Sequence, residues 1–232
     1  MIRWSPPGPY EVVFSTREGG VSAGPYASLN LGRMTGDDVD RVDENRRILC
    51  SEIGAEPEKL ALNRQIHSST VHRAEAGSRG RPADGLWTDE PALPILAMAA
   101  DCLPIALVRA GGEEPAVAVL HAGWRGILGG IIDEGVRALG GTVHAAIGPG
   151  IGPCCYEVGP DVEERFAAAY GPALGDGRNL DLWTAAERAL RSAGAGDVHR
   201  LDLCTHCNPD RFFSHRRTGK PRGVQGVIAR VA

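Results

Sequence analysis

The chain has 232 residues, 43% of them hydrophobic and 23% charged, with a net charge of −4. That is enough chain for a sizeable core in one domain, and the mildly acidic balance, with no basic stripe, leaves no electrostatic footprint for nucleic acid. No apolar run reaches the ~18–20 residues of a membrane span, and the opening residues MIRWSPPGPYEVVFST lack the apolar stretch of a secretory signal, so no membrane partner is expected and the cytoplasm is the expected compartment.

GDDVDRVDENRRILCSEIG (36–54) predicts a helix with Val42, Leu49 and Ile53 on one face, Asp37 or Asp38 as its cap and Gly54 at its end. EAGSRGRPADG (75–85) reads as a polar loop. LPILAMAADC (93–102) is a mostly apolar run that predicts a buried strand, with Pro104 limiting its continuation. AVAVL (116–120) predicts a second buried strand. ILGGIIDEGVRALG (127–140) follows as a helix whose Leu128, Ile131, Ile132, Val136 and Leu139 share a face. VHAAIG (143–148) is a third strand running into a Gly/Pro loop. DVEERFAAAY (161–170) opens on Asp161 with Glu164 three residues later, a capping-box pattern, and AAYGPALGDGRN (168–179) reads as another loop. LWTAAERALRSAG (182–194) predicts a helix closing at Gly194, and VHRLDL (198–203) and GVQGVIARV (223–231) predict strands. Strands mixed with helices throughout point to an α/β or α+β fold, taken as one domain over 1–232.

Candidate chemistry gathers where the predicted strands end, the edge at which ligands bind in such layouts. HAGWRG (121–126) joins a buried strand to a helix. Its glycines permit close backbone approach, the helix start offers free N–H groups, Arg125 offers a bidentate anion clamp, and Trp124 offers a stacking face or core filling. His121 alone reads as structural or catalytic. Asp101-Cys102 ends the 93–102 strand, and it reads either as a turn-capping Asp beside a buried thiol or as a thiolate ligand or nucleophile. His67, in NRQIHSSTVH, completes a set of one Cys and two His of the type used by a catalytic zinc site with an open fourth position. The spacing 67, 102, 121 matches no local zinc pattern. Six cysteines in a cytosolic chain read as reduced thiols, ligands or a nucleophile before disulfides. CTHC (204–207) has CxxC spacing, but its only partner pair is the adjacent Cys154-Cys155, awkward for a tetrahedral site. Packing or loop thiols are the expectation there, with Cys155 a candidate for pocket lining because of its Gly-rich loop. The Arg-dense RFFSHRRTGKPR (211–222) reads as an anion or substrate contact or a solvated face.

Taken together, the segments FSTREGGVS (14–22), SLNLG (28–32), GDD (36–38), NR (45–46), QIH (65–67), ADGLWT (83–88), ADCLPI (100–105), HAGWRG (121–126), AIGPGIGPCCYEVG (146–159) and CTHCNPDRFFSHRR (204–217) carry a resemblance. The chain resembles the bacterial family once described as multicopper polyphenol oxidase, laccase-like. The same family is also described as purine nucleoside phosphorylase/adenosine deaminase-like and as peptidoglycan-editing-factor-like. One departure is Thr218-Gly219-Lys220, where the family often carries Thr-Gly-Arg. The resemblance implies an α+β domain of central mixed sheets flanked by helices, related to toxin deamidase domains with a Cys/His site. It also implies convergence of His67, Cys102 and His121 on one metal, usually zinc.

The activity implied is phosphorolysis of adenosine, inosine, guanosine or 5′-methylthioadenosine to the base and the ribose 1-phosphate, together with deamination of adenosine to inosine. Zinc with an open position ionises water near neutral pH, which suits attack at adenine C6. The expected partners are a purine nucleoside and phosphate. Arg17, Arg125 and the backbone at Gly123 and beyond Gly126 are the expected phosphate or substrate contacts, and Asp101 is expected to orient a ligand or move protons. Copper can replace zinc at such N/S donors. Laccase-like oxidation is the rival reading, yet seven histidines with no His-x-His pair are too few for coupled copper centres. Editing of a UDP-linked peptidoglycan precursor is a third reading, and metal buffering without catalysis a fourth. A monomer is the default expectation.

Overall fold

The computed structural model describes residues 1–111, 114–176 and 178–232; residue 177 of the expected 168–179 loop lies outside them. In chain order the first half contains β1 (Ile2–Trp4), β2 (Tyr10–Phe14), α1 (Val39–Ser51), β3 (Ala61–Arg64), β4 (Val71–Arg73), β5 (Arg79–Pro82), β6 (Gly85–Thr88), β7 (Ile95–Ala99) and β8 (Leu103–Ala110). The second half contains β9 (Val117–Ala122), α2 (Trp124–Leu128), α3 (Ile131–Leu139), β10 (Thr142–Ile147), α4 (Pro160–Tyr170), β11 (Gly175–Asp176), β12 (Asn179–Leu180), α5 (Leu182–Ser192), β13 (Ala195–Arg200), α6 (His215–Thr218) and β14 (Gln225–Val231).

Two six-stranded mixed sheets dominate this α+β fold, in the orders β1-β2-β14-β7-β3-β5 and β13-β10-β8-β9-β6-β4. Alternation along β8 and β9 shows why both strands read as unbroken apolar runs. Ile105, Leu107, Ala118 and Leu120 face α2, α3 and α5 in one core. Ala106, Val108, Val117 and Val119 face the other sheet, meeting Phe14, Ile95, Ala97 and Val227 in a second core. A strand covered on both faces has no polar side to show. Helix α1 closes the outer face of the first sheet, where Leu49, Cys50 and Ile53 pack on Val13, Leu62, Leu96 and Ile228. Asp38 caps α1, its carboxylate accepting from the Asp40 and Arg41 amides.

Several expected elements differ in detail. The 93–102 strand ends at Ala99, and Pro104 does not stop the chain from forming a strand. Pro104 is the second residue of β8, close to the strand end where a missing N–H costs least. The 127–140 helix is two helices: α2 begins earlier, at Trp124, and Gly130 at φ 87° breaks the axis before α3. Helix α4 is entered through Gly159 and Pro160 with no side-chain cap, so the Asp161/Glu164 box does not form. The 75–85 loop contains the exposed strand β5. The 198–203 strand lies earlier, at β13, because it pairs in parallel with β10 from Ala195 to Arg200. Among the described residues, no helix is long and apolar enough to cross a membrane.

Candidate metal centre and active-site cavity

Strand register assembles the site. Antiparallel pairing of β8 with β9 sets Leu103 opposite Ala122 and Pro104 opposite His121. Cys102, just before β8, therefore sits beside Gly123, just after β9. Pairing of β6 with β9 sets Gly85 opposite Leu120, which brings Asp84 opposite His121; the His121 amide donates to the Asp84 carbonyl at 2.7 Å. Strands β3 and β7 run parallel, so the chain leaving β3 toward His67 travels beside the chain leaving β7 toward Cys102. Gln65 holds the two together: its Oε1 accepts from the Met98 amide at 2.9 Å and its Nε2 donates to the Met98 carbonyl at 2.6 Å.

The imidazole nitrogens of His67 and His121 and the Cys102 sulfur lie within 4.8 Å of one another. Cys102 Sγ is 3.9 Å from His67 Nε2, and the two rings meet edge-on at a centroid distance of 4.9 Å. His121 is buried, Cys102 half-buried and His67 exposed, so the group opens to solvent on the His67 side. His67 and Asp101 both adopt positive φ, 61° and 91°, a conformation rare for non-glycine residues and concentrated at functional sites.

Asp84, to which the sequence alone assigns no role, organises both histidines. Its buried carboxylate accepts from the amides of Ile66 (3.2 Å), His67 (3.0 Å) and Ser68 (2.6 Å) and from the Ser68 hydroxyl (2.8 Å), and it pairs with His121 Nδ1 at 2.8 Å. Burial pushes the Asp84 carboxyl up, but the His121 and Ser68 contacts outweigh it and hold the group at about 2. The bond to Nδ1 leaves His121 Nε2 for the donor group, the way metal-ligating histidines are usually held by a carboxylate behind them. Burial also opposes ionisation of Cys102 and His121. Their mutual attraction, with Asp84 behind His121 and His67 beside Cys102, outweighs it: Cys102 falls to about 6 and His121 rises to about 9.

A cavity of about 290 Å³ lies over this group, lined among others by His67, Cys102, Trp124, Arg125, Tyr156 and Arg216. This is at the low end of the ~300–1,000 Å³ typical of ligand sites. The Arg125 guanidinium stacks over the Trp124 ring at 4.2 Å, and among the described residues it has neither a hydrogen bond nor an ion pair. Arg216 lies 5.2 Å over the Tyr156 ring, its Nη1 donating to the Glu157 carbonyl at 2.9 Å. His215 also lines the cavity. The Arg-dense segment 211–222 reads as one unit in the sequence; only the fold singles out His215 and Arg216.

The remaining expected site residues divide. His67, Cys102, Arg125 and Asp101 line one cavity, His121 lies buried behind His67 and Cys102, and Gly123 adjoins the cavity floor. Arg17 is held elsewhere: its guanidinium donates to the carbonyls of Ala27 (2.7 Å) and Pro209 (2.9 Å) and lies 4.6 Å over Phe213, so its donors serve the scaffold. Asp101 does not bond to the histidines; its oxygens accept from the Thr205 hydroxyl and the Arg216 amide, each at 2.6 Å. Cys155 turns to Cys207, at 3.3 Å, and does not line the cavity.

The donor set fits a transition metal. Two imidazoles and one thiolate with an open side are soft and borderline ligands that suit zinc, copper and their neighbours. Space at the centre is guarded by Gly123, where a Cβ would stand 2.8 Å from Cys102 Sγ and 3.2 Å from His67 Cδ2. Its backbone, at φ −80° and ψ 170°, suits any residue. Gly123→Ala is therefore expected to fold normally and to lower affinity for a divalent metal by ~10–100-fold, the range for disturbed ligand support. Competition with a chromophoric chelator measures this; wild-type affinity would show that the cradle relaxes around a methyl group.

Comparison with known proteins agrees with this architecture. The model of the family described as multi-copper polyphenol oxidoreductase laccase matches residues 11–231, and the chain belongs to that family. It is 34% identical over 237 residues to a protein of Haemophilus influenzae named purine nucleoside phosphorylase, covering 97% of this chain and 96% of that one. It is 36% identical over 225 residues to purine nucleoside phosphorylase YfiH of Escherichia coli K12, covering 93% and 91%. The crystal structure of Neisseria meningitidis protein NMB0706 superposes with a TM-score of 0.88 at 33% identity, over 99% of this chain and 98% of that one. YlmD of Geobacillus stearothermophilus superposes at 0.86 and 31%, over 96% and 92%. The family description invokes several coppers, but the two metal-competent donor groups among the described residues contain two imidazoles between them.

Proposed function

We propose that the chain is a zinc-dependent purine nucleoside phosphorylase that also deaminates adenosine, with residues 1–232 forming one catalytic domain that acts as a monomer in the cytoplasm. The observation that carries this reading is the meeting at one cavity of a His67–Cys102–His121 donor triad with two guanidinium groups and two aromatic rings. The names of the relatives from Haemophilus influenzae and Escherichia coli support it.

In phosphorolysis a phosphate oxygen bonds to ribose C1′ while the bond from C1′ to the purine nitrogen breaks, and the departing base takes a proton. The phosphate requires cations, and Arg125, whose donors are free among the described residues, offers one. Arg216 supplies a second positive charge, and Asp101 positions it through the Arg216 amide. Trp124 and Tyr156 line the cavity and supply aromatic surface beside the two guanidinium groups for the purine. His67, Cys102 and His121 would hold the metal, with Asp84 fixing the orientation of His121. Zinc in that cradle supplies the Lewis acidity that deamination at adenine C6 calls for.

The test is chromatography of products after incubating the metal-loaded protein with adenosine and phosphate. Adenine with ribose 1-phosphate, and inosine, are the expected products. Arg125→Ala is expected to raise KM for phosphate ~10–100-fold, the loss of one charge-assisted contact, and to change deamination far less, since that reaction uses no phosphate. Absence of base release from every purine nucleoside tried would sink the reading and make a UDP-linked cell-wall precursor the next substrate to try.

A further inference from the structure

We propose that Cys154, Cys155, Cys204 and Cys207 form a second metal site, a tetrathiolate that takes one tetrahedral dication of the zinc class and braces the wall of the cavity.

The sequence alone makes the adjacent pair Cys154-Cys155 look unsuited to such a site. The fold removes the difficulty. Strands β10 and β13 are parallel neighbours, so the segments that follow them leave the same end of the sheet side by side. A parallel bridge between Gly150 and Cys204 extends that pairing. The Gly152 carbonyl then accepts from both the Cys155 and Tyr156 amides at 3.0 Å, a tight turn that delivers both thiols to the other segment. Cys207 Sγ is 3.4 Å from Cys154 Sγ and 3.3 Å from Cys155 Sγ, and all four sulfurs lie within 4.8 Å of one another. A tetrahedral zinc with Zn–S near 2.3 Å has S···S edges of about 3.8 Å, inside the range these sulfurs already span.

Neither packing nor a disulfide accounts for the cluster as well. Cys154 and Cys207 are exposed, so they add nothing to a core. One disulfide joins only two of four converging thiols. Cys204 Sγ already accepts the Gly152 amide at 3.3 Å, the kind of N–H···S bond that supports a metal-bound thiolate. Loading releases the protons of the ligating thiols to solvent.

The ion would fix parts of the proposed active site. Thr205, between two of the ligands, donates to Asp101 at 2.6 Å, and its carbonyl accepts from Arg217 Nη1 at 2.6 Å. Tyr156, next to Cys155, lines the cavity.

The test is metal analysis of protein purified under reducing conditions and loaded with zinc. Wild type is expected to hold two equivalents per chain, Cys102→Ala one and Cys207→Ser one. Cobalt-loaded Cys102→Ala is expected to show the intense thiolate-to-cobalt charge-transfer absorption of a four-sulfur site, and chelation is expected to lower its melting temperature. Folded Cys102→Ala that binds no zinc and gives no charge-transfer band overturns the proposal, whether or not Cys207→Ser folds. So does the same variant, handled reduced, with Cys207 in a disulfide to Cys154 or Cys155 and no metal.

Discussion

Cys102→Ala is expected to lower base release from adenosine by at least ~10³-fold while leaving the protein folded. Three residues share the donor group at the cavity floor, and Cys102 is the only anionic one. Structural zinc sites bind with ~10–16 kcal/mol, so one donor in three or four carries ~3–5 kcal/mol, or ~10²–10⁴ in affinity. Loss of the proposed electrophile and its placement removes catalysis as well as binding. The sulfur faces the cavity beside Gly123, so its removal opens no void in either large core. Product chromatography together with metal content reads both effects. Wild-type turnover by the variant would show that Cys102 is not a ligand of consequence and would withdraw the donor triad from the mechanism.

Replacement of Asp84 is expected to be strongly destabilising. Its carboxylate accepts from three amides and a hydroxyl and pairs with His121, all without solvent. Asp84→Asn keeps the volume but turns two amide hydrogens toward groups that are themselves donors. Breaking a buried charged network costs ~3–5 kcal/mol, which for a chain of this size lowers Tm by roughly 6–20 °C. Metal affinity is expected to fall ~10–100-fold as well, since His121 loses the bond that orients it.

The same residue sets an acid limb. Its folded pKa of about 2 lies below the ordinary 3.8. Its contribution is therefore complete above the ordinary value and is lost as pH falls through about 2. The difference in unfolding free energy between wild type and Asp84→Asn is expected to shrink by ~2 kcal/mol between pH 5 and pH 2. Denaturant titrations at both pH values measure it, and a constant difference would mean that the carboxylate is not stabilised by these contacts.

The local features are directly legible in the sequence. The apolar run 116–120 is the core of β9, the 36–54 pattern is α1 with Asp38 as its cap, and HAGWRG lies where a strand turns into a helix. Hydrophobic period and capping chemistry act over a few residues, so they can be read without a partner. Strands β3 to β6 cannot, because they are three or four residues long and mix polar with apolar positions. Such segments become strands only when neighbours supply the ladder. The donor residues His67, Cys102 and His121 can be nominated by residue type and by resemblance, but their spacing of 35 and 19 positions carries no geometry.

What only the tertiary structure decided is which side chains share space. Antiparallel register put Asp84 opposite His121 and Cys102 beside Gly123. Side-chain contacts took Arg17 into the scaffold and brought Arg216 to the cavity. Parallel pairing of β10 with β13 drew four cysteines from two distant loops into one cluster. The reason is common to the first and the last. Pairing between strands far apart in the chain is set by burial of whole sheet faces, and the burial of whole faces is a property of the fold rather than of any stretch of residues.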